Sequence, residues 1–142
     1  MTNEIKNNED LKNKKILVIE EVEDDVSLRN AIRTKLSLEG FNVLEAKNGE
    51  EGLAIALAKH PDLILLDIVM PKVDGITMMK KLRQENEWGK NVPIILLTNL
   101  GKDDDKIIQA VSENEPAYYI VKSDYSMKEL IEKIRQRLSM EE

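Results

Sequence analysis

Leu63-Ile64-Leu65-Leu66-Asp67 runs four aliphatic residues straight into one carboxylate, and Ile68-Val69-Met70-Pro71 follows. An unbroken apolar run of this length reads as a strand buried on both faces, the pattern of a central parallel strand. Pro71 has no amide hydrogen to give to a ladder, so regular pairing ends before it. Asp67 is therefore expected where a central strand leaves the core. In open α/β sheets that rim, at the carboxyl ends of the strands, is where ligands bind.

Working outward, Ile16-Leu17-Val18-Ile19 is a second wholly apolar run, hence strand 1, and the acids Glu20-Glu21-Val22-Glu23-Asp24-Asp25 follow it. Leu28, Ala31, Ile32 and Leu36 recur at helical spacing up to Gly40 and predict helix 1. Phe41-Asn42-Val43-Leu44 is a weaker strand 2, suited to an edge. Asn48 is placed to cap helix 2, with Leu53, Ala56 and Leu57 inward, and Asp74 to cap helix 3, with Ile76, Met79 and Leu82 inward. Strand 4 runs from Pro93 to Thr98. Helix 4 is expected over 103–113 with Ile107, Ile108 and Val111 inward, and strand 5 over 118–122. Ser126 and Glu129 form a capping box that opens helix 5, whose inward face is Met127, Leu130, Ile131, Ile134 and Leu138. Strict alternation of strand and helix gives a parallel five-stranded sheet covered on both faces. The fold expected is a flavodoxin-like (βα)5 three-layer sandwich with strand order 2-1-3-4-5. Residues 1–12 are polar and aperiodic and read as a flexible leader to a single domain over 13–142.

Composition narrows the function classes. The 142 residues contain no cysteine, which excludes disulfides and thiolate metal sites and fits a cytoplasmic setting. The net charge of −6 argues against direct nucleic-acid binding, which needs a basic surface. No apolar run approaches the ~18 residues of a membrane span.

The strands deliver chemistry to one rim. Strand 1 brings its acids, strand 3 Asp67, strand 4 the Thr98 hydroxyl and strand 5 the Lys122 ammonium. Each has an ordinary explanation alone, as a helix-start acid, a turn acid, a strand-end hydroxyl or a solvated lysine. Together, at neighbouring strand ends, they make a reactive pocket. Two carboxylates ~4 Å apart at an effective dielectric near 20 repel by about 4 kcal/mol. A hard divalent cation with oxygen ligands relieves that, and Mg2+ needs only one or two carboxylates beside waters and phosphate oxygens. Asp67 could then attack a phosphoryl group held by the cation, Lys122 and Thr98, giving an acyl phosphate.

These pieces, ILVI plus acids, LILLDIVMPKVDG, PIILLTN and YYIVK, resemble the receiver domain of two-component response regulators, over roughly residues 14–138. The resemblance implies that Asp67 is the phosphoacceptor, Thr98 the switch hydroxyl and Lys122 the phosphate-binding lysine. It makes Val69 the donor of a backbone carbonyl to Mg2+, and Tyr119 the aromatic that swings inward when the hydroxyl engages phosphate. The acidic pair is open. Counting from strand 1 selects Glu20 and Glu21. Counting back from helix 1 selects Glu23 and Asp24, which we favour because the helix start fixes their direction. The loop is thus longer than the family's. Ser123 stands where the family has proline, so a trans Lys122–Ser123 bond is expected. Glu115-Pro116-Ala117 replaces a Gly-Ala step, and Asn114 is expected to take the left-handed turn there. Asn99 stands where a small residue is usual.

The resemblance implies a phosphorylation switch rather than an enzyme with a separate substrate. Its partners would be a sensor histidine kinase or phosphotransfer protein, and a downstream protein met through the face of helix 4, strand 5 and helix 5. Self-association as a homodimer is the other expected output, since no output domain follows helix 5 in the sequence. The alternative is a receiver-like interaction module that works without phosphorylation. His60, before Pro61 at the far end of strand 3, reads as a surface residue rather than a phosphate donor.

Overall fold

In the computed structural model, which describes residues 11–20, 26–68, 74–98, 105–121 and 125–139, each apolar run is a strand and each periodic stretch a helix. The order is β1 (Lys15–Ile19), α1 (Val26–Leu38), β2 (Asn42–Ala46), α2 (Gly49–Lys59), β3 (Leu63–Asp67), α3 (Gly75–Glu85), α4 (Glu87–Asn91), β4 (Ile94–Thr98), α5 (Asp105–Glu113), β5 (Ala117–Val121) and α6 (Met127–Ser139). The strands form one sheet in the order β2-β1-β3-β4-β5, with every pairing parallel. This is the flavodoxin-like α/β arrangement expected from the alternation.

Strand alternation divides the interior in two. Leu17, Ile19, Ile64, Leu66, Ile94 and Leu96 face one core with residues of α2, α3 and α5. Ile16, Val18, Leu63, Leu65, Ile95 and Leu97 face the other, with Ile32 and Leu36 of α1 and Leu130, Ile131 and Ile134 of α6. All five residues of β3 are buried, as its unbroken apolar run requires. Each such Leu or Ile contributes about 1.5–3 kcal/mol by leaving water.

Caps follow the sequence. Asn48 accepts a hydrogen bond from the Glu51 amide at 2.8 Å, and Asp74 accepts one from the Thr77 amide at 2.9 Å. Glu129 and Ser126 exchange reciprocal bonds at 2.9 and 3.1 Å.

Several expectations are corrected. Ala31 is exposed, and so is Ile108, at 49 %, because Ile107 and Ala110 already fill the inner face of α5. Glu87–Asn91 forms an extra short helix, α4, capped by Asn86. Asn114 does not turn left-handed. Among the described residues other than glycine, positive φ occurs at Asn13 and His60. The Asn114 amide instead donates to the Ala110 carbonyl at 2.8 Å, closing α5 with its side chain. The Glu115–Pro116 bond is cis. Leu11, inside the stretch read as a leader, is buried in the second core, and the Asn13 amide is tied to the Gly40 carbonyl at 2.8 Å.

The amino ends of the strands are closed by polar contacts. Arg83, buried in the last turn of α3, donates to the carbonyls of Asn114 (2.8 Å), Gly89 (2.7 Å) and Pro116 (3.0 Å). Burial pushes its pKa down to about 10, so it stays a cation at neutral pH. The Lys15 amide donates to Asp62 at 2.7 Å. His60 ends α2 with φ of 47° and stacks on Trp88, ring centres 4.3 Å apart. At the end of α1, Glu39 accepts from Arg135 and lies 3.2 Å from the Lys35 ammonium. The hydrogen bond from Arg135, then that from Lys35, holds the Glu39 carboxyl below its usual range.

Candidate functional site at the carboxyl ends of the strands

At the opposite rim the structure collects polar side chains on a very apolar sheet. Asp67 ends β3 and is 9 % exposed; Thr98 ends β4 at 2 %; Glu20, just past β1, is also at 2 %. Register brings them together. Ile19 is the partner of Leu66, so one further step sets Glu20 beside Asp67. Asp67 is the partner of Leu97, which places Thr98 one residue further along the neighbouring strand. Thr98 in turn is the partner of Val121, the residue before Lys122.

The backbone around Asp67 is held closely. The Ile68 amide donates to the Leu97 carbonyl at 3.1 Å, and the Gly75 amide to the Ile68 carbonyl at 3.0 Å. A β-carbon at residue 75 would lie 2.4 Å from the Asp67 carbonyl oxygen. Only glycine lets the start of α3 approach the end of β3 this closely. The Asp-Gly step before an apolar stripe marks where the helix begins against the strand.

Tyr119 is the partner of Leu96 and so shares the sheet face of Thr98, two positions nearer the amino end. It is 44 % exposed, and its neighbour Tyr118, on the opposite face, 40 %. Glu21, Glu23, Asp24, Val69 and Lys122 lie outside the described residues, as do Asn99 and the Lys122–Ser123 bond. Of the two candidate acidic pairs, the described residues include only Glu20.

Among the described residues no group of three metal-ligating side chains occurs. They supply two buried carboxylates at neighbouring strand ends, Glu20 just past β1 and Asp67 at the end of β3. Such hard oxygen donors fit a hard divalent cation, and a cation that keeps several waters needs no more than two of them. The donor chemistry therefore fits Mg2+.

The sequence matches the model of the response regulator receiver domain over residues 16–135. It is 41 % identical over 129 residues to the probable transcriptional regulator ycf27 of Cyanophora paradoxa, covering 91 % of this chain and 50 % of that protein. It is 41 % identical over 96 residues to the alkaline phosphatase synthesis transcriptional regulatory protein PhoP of Bacillus subtilis, covering 68 % of this chain and 38 % of that one. The chain thus spans about half the length, or less, of these curated relatives. The solved chemotaxis response regulator CheY4 of Vibrio cholerae superposes with a TM-score of 0.76 at 27 % identity, covering 89 % of this chain and 99 % of that one. The receiver domain of the sensor histidine kinase PA1611 of Pseudomonas aeruginosa, solved with a magnesium ion coordinated in the active site cleft, gives 0.71 at 26 % identity, covering 89 % and 97 %. Sheet order, the acid at the end of the central strand and the matched sequence agree, and this chain belongs to the response regulator receiver domain family.

Proposed function

We propose that this chain is a phosphoacceptor switch in two-component signalling. One observation carries the reading: Asp67, at the end of the central strand, is nearly buried between the rim positions of Glu20 and Thr98. A carboxylate there is shielded from most bulk water and stands at the carboxyl rim, where open α/β sheets bind their ligands.

An Asp67 oxygen attacks the phosphorus of a phosphohistidine on a sensor kinase or phosphotransfer protein. The P–N bond breaks, the imidazole leaves, and an acyl phosphate remains on Asp67. Asp67, the Val69 carbonyl and the Glu23–Asp24 pair, or Glu20 and Glu21 in place of that pair, would hold Mg2+, which would supply positive charge against the phosphoryl oxygens. Lys122 adds a second positive charge, and the Thr98 hydroxyl donates to a phosphoryl oxygen. That engagement draws Thr98 toward the rim and lets Tyr119, on the same sheet face, turn inward. The added charge of about −1.5 to −2 biases a pre-existing equilibrium rather than building a new state. The only chemistry catalysed is gain and loss of this phosphoryl group. The output face is α5, β5 and α6, read by a downstream protein or a second copy. Among the described residues no helix is long and apolar enough to cross a membrane, in keeping with a cytoplasmic setting.

Glu20 favours a second reading, a receiver-like interaction module that is not phosphorylated. A buried acid beside Asp67 raises the cost of keeping both ionised. Incubation with acetyl phosphate and Mg2+ separates the two. The switch predicts a mass gain of about 80 Da, one phosphoryl group, lost in Asp67→Asn. No gain in the wild-type protein selects the interaction module.

A further inference from the structure

The chain contains one histidine and one tryptophan, and the two are in contact. The His60 and Trp88 ring centres lie 4.3 Å apart, with the planes within 7° of parallel. His60 ends α2 with φ of 47°, its amide bonded to the Ala56 carbonyl. Glycine or asparagine also serves a left-handed turn of this kind, so the turn by itself does not call for an imidazole. Trp88 lies on α4 next to Gly89, whose carbonyl accepts from Arg83. The stack therefore joins the end of α2 to a helix that anchors the amino rim. His60 is exposed, so a proton reaches its ring from water, whereas Trp88 is half-buried.

From this geometry we propose that His60 and Trp88 form a proton-responsive clasp, which holds α2 to α4 more tightly in acid than in base. Imidazole is the side chain whose charge ordinarily changes near neutrality. A proton turns a neutral ring stack into a cation over the indole face, which the ring quadrupole attracts. The carboxyl end of a helix also favours a cation. The charged groups around the stack are Lys59 and Asp62 beside His60, and Glu85, Glu87 and Lys90 beside Trp88. Lys15 joins them from β1, its ammonium donating to the Lys59 carbonyl at 2.7 Å. Among the described residues none of these is ion-paired with His60. The Lys15 ammonium opposes a charge on His60, but its bond is exposed and water screens the repulsion, while the indole contact is direct.

Because Trp88 is the single tryptophan, its fluorescence reads the clasp in the full chain. Emission is expected to fall as pH is lowered from about 8 to about 5.5, since an imidazolium in contact quenches an indole. His60→Asn, which keeps a residue at ease in the left-handed turn and removes the ring, should abolish that fall. A double-mutant cycle of His60→Asn and Trp88→Leu, by urea unfolding read with circular dichroism, measures the contact itself. Its coupling, as a factor in the unfolding equilibrium, should be about two- to fivefold larger at pH ~5.5 than at pH ~8. Emission that ignores pH overturns the proposal, as does an equal fall in His60→Asn, which would mark general unfolding in acid. A coupling that is the same at both pH values also overturns it and leaves the stack as packing alone. The clasp stands apart from the chemistry at Asp67, so a failure of phosphorylation leaves it untouched.

Discussion

The two rims of the sheet solve opposite problems. At the amino rim a buried cation, Arg83, is met by three carbonyls drawn from α4 and from the turn before β5. Each guanidinium nitrogen donates to a carbonyl within the protein. At the carboxyl rim two buried acids come to neighbouring positions, Glu20 just past the end of β1 and Asp67 at the end of β3. Internally matched polar groups fix a structure, whereas like charges gathered at strand ends favour an external cation. The contrast is between a rim that holds the sheet together and a rim whose acids suit the proposed cation.

Breaking the amino rim should have the largest effect. Arg83→Ala leaves three carbonyls and a cavity, and should cost about 3 kcal/mol in urea unfolding. A loss under about 1 kcal/mol would remove the distinction between the rims. Next is Gly75→Ala, whose β-carbon meets the Asp67 carbonyl and not a yielding side chain. A loss of about 2 kcal/mol is expected, with slower phosphorylation of Asp67. The third change has the opposite sign. Asp67→Asn removes one of the paired charges, so in chelator it should raise stability by about 1 kcal/mol. Mg2+ at ten times its dissociation constant should add about 1.4 kcal/mol to the wild-type chain and little to the variant.

The smallest effect probes the ion pair at the end of α1. The Glu39 carboxyl is held below its ordinary value of about 4.5 by Arg135 and Lys35. A depressed acid stabilises the fold above its unfolded pKa, and that share is lost as pH falls through the lower folded pKa. The wild-type chain should therefore exceed Glu39→Gln in stability above pH ~4.5, with the gap closing below. Because the pair is partly exposed, salt should narrow it.

Much of this was legible in the residues themselves. The runs at 16–19, 63–66 and 94–97 allow no reading but buried strands, and alternation then forces the topology. The rim positions of Asp67 and Thr98 follow from where those runs stop. What escaped had no periodic signal. Glu87–Asn91 is too short to show a repeat, and Asn86 announces it only as a cap. Arg83 looks like any solvated base, because a sequence carries no trace of carbonyls brought from residues 89, 114 and 116. Ile108 sits one position beyond the inward Ile107, and a rotation of about 100° per residue carries it outward. The choice between Glu20 with Glu21 and Glu23 with Asp24 depends on loop path, which local pattern does not encode.

The burial of Leu11 bears on how the chain can be handled. A tag or fusion partner belongs upstream of this leucine, and trimming past it would pull a stopper from the floor of the second core. Water would then reach Phe41 and Ile16, so a shortened version risks aggregation for reasons unrelated to signalling.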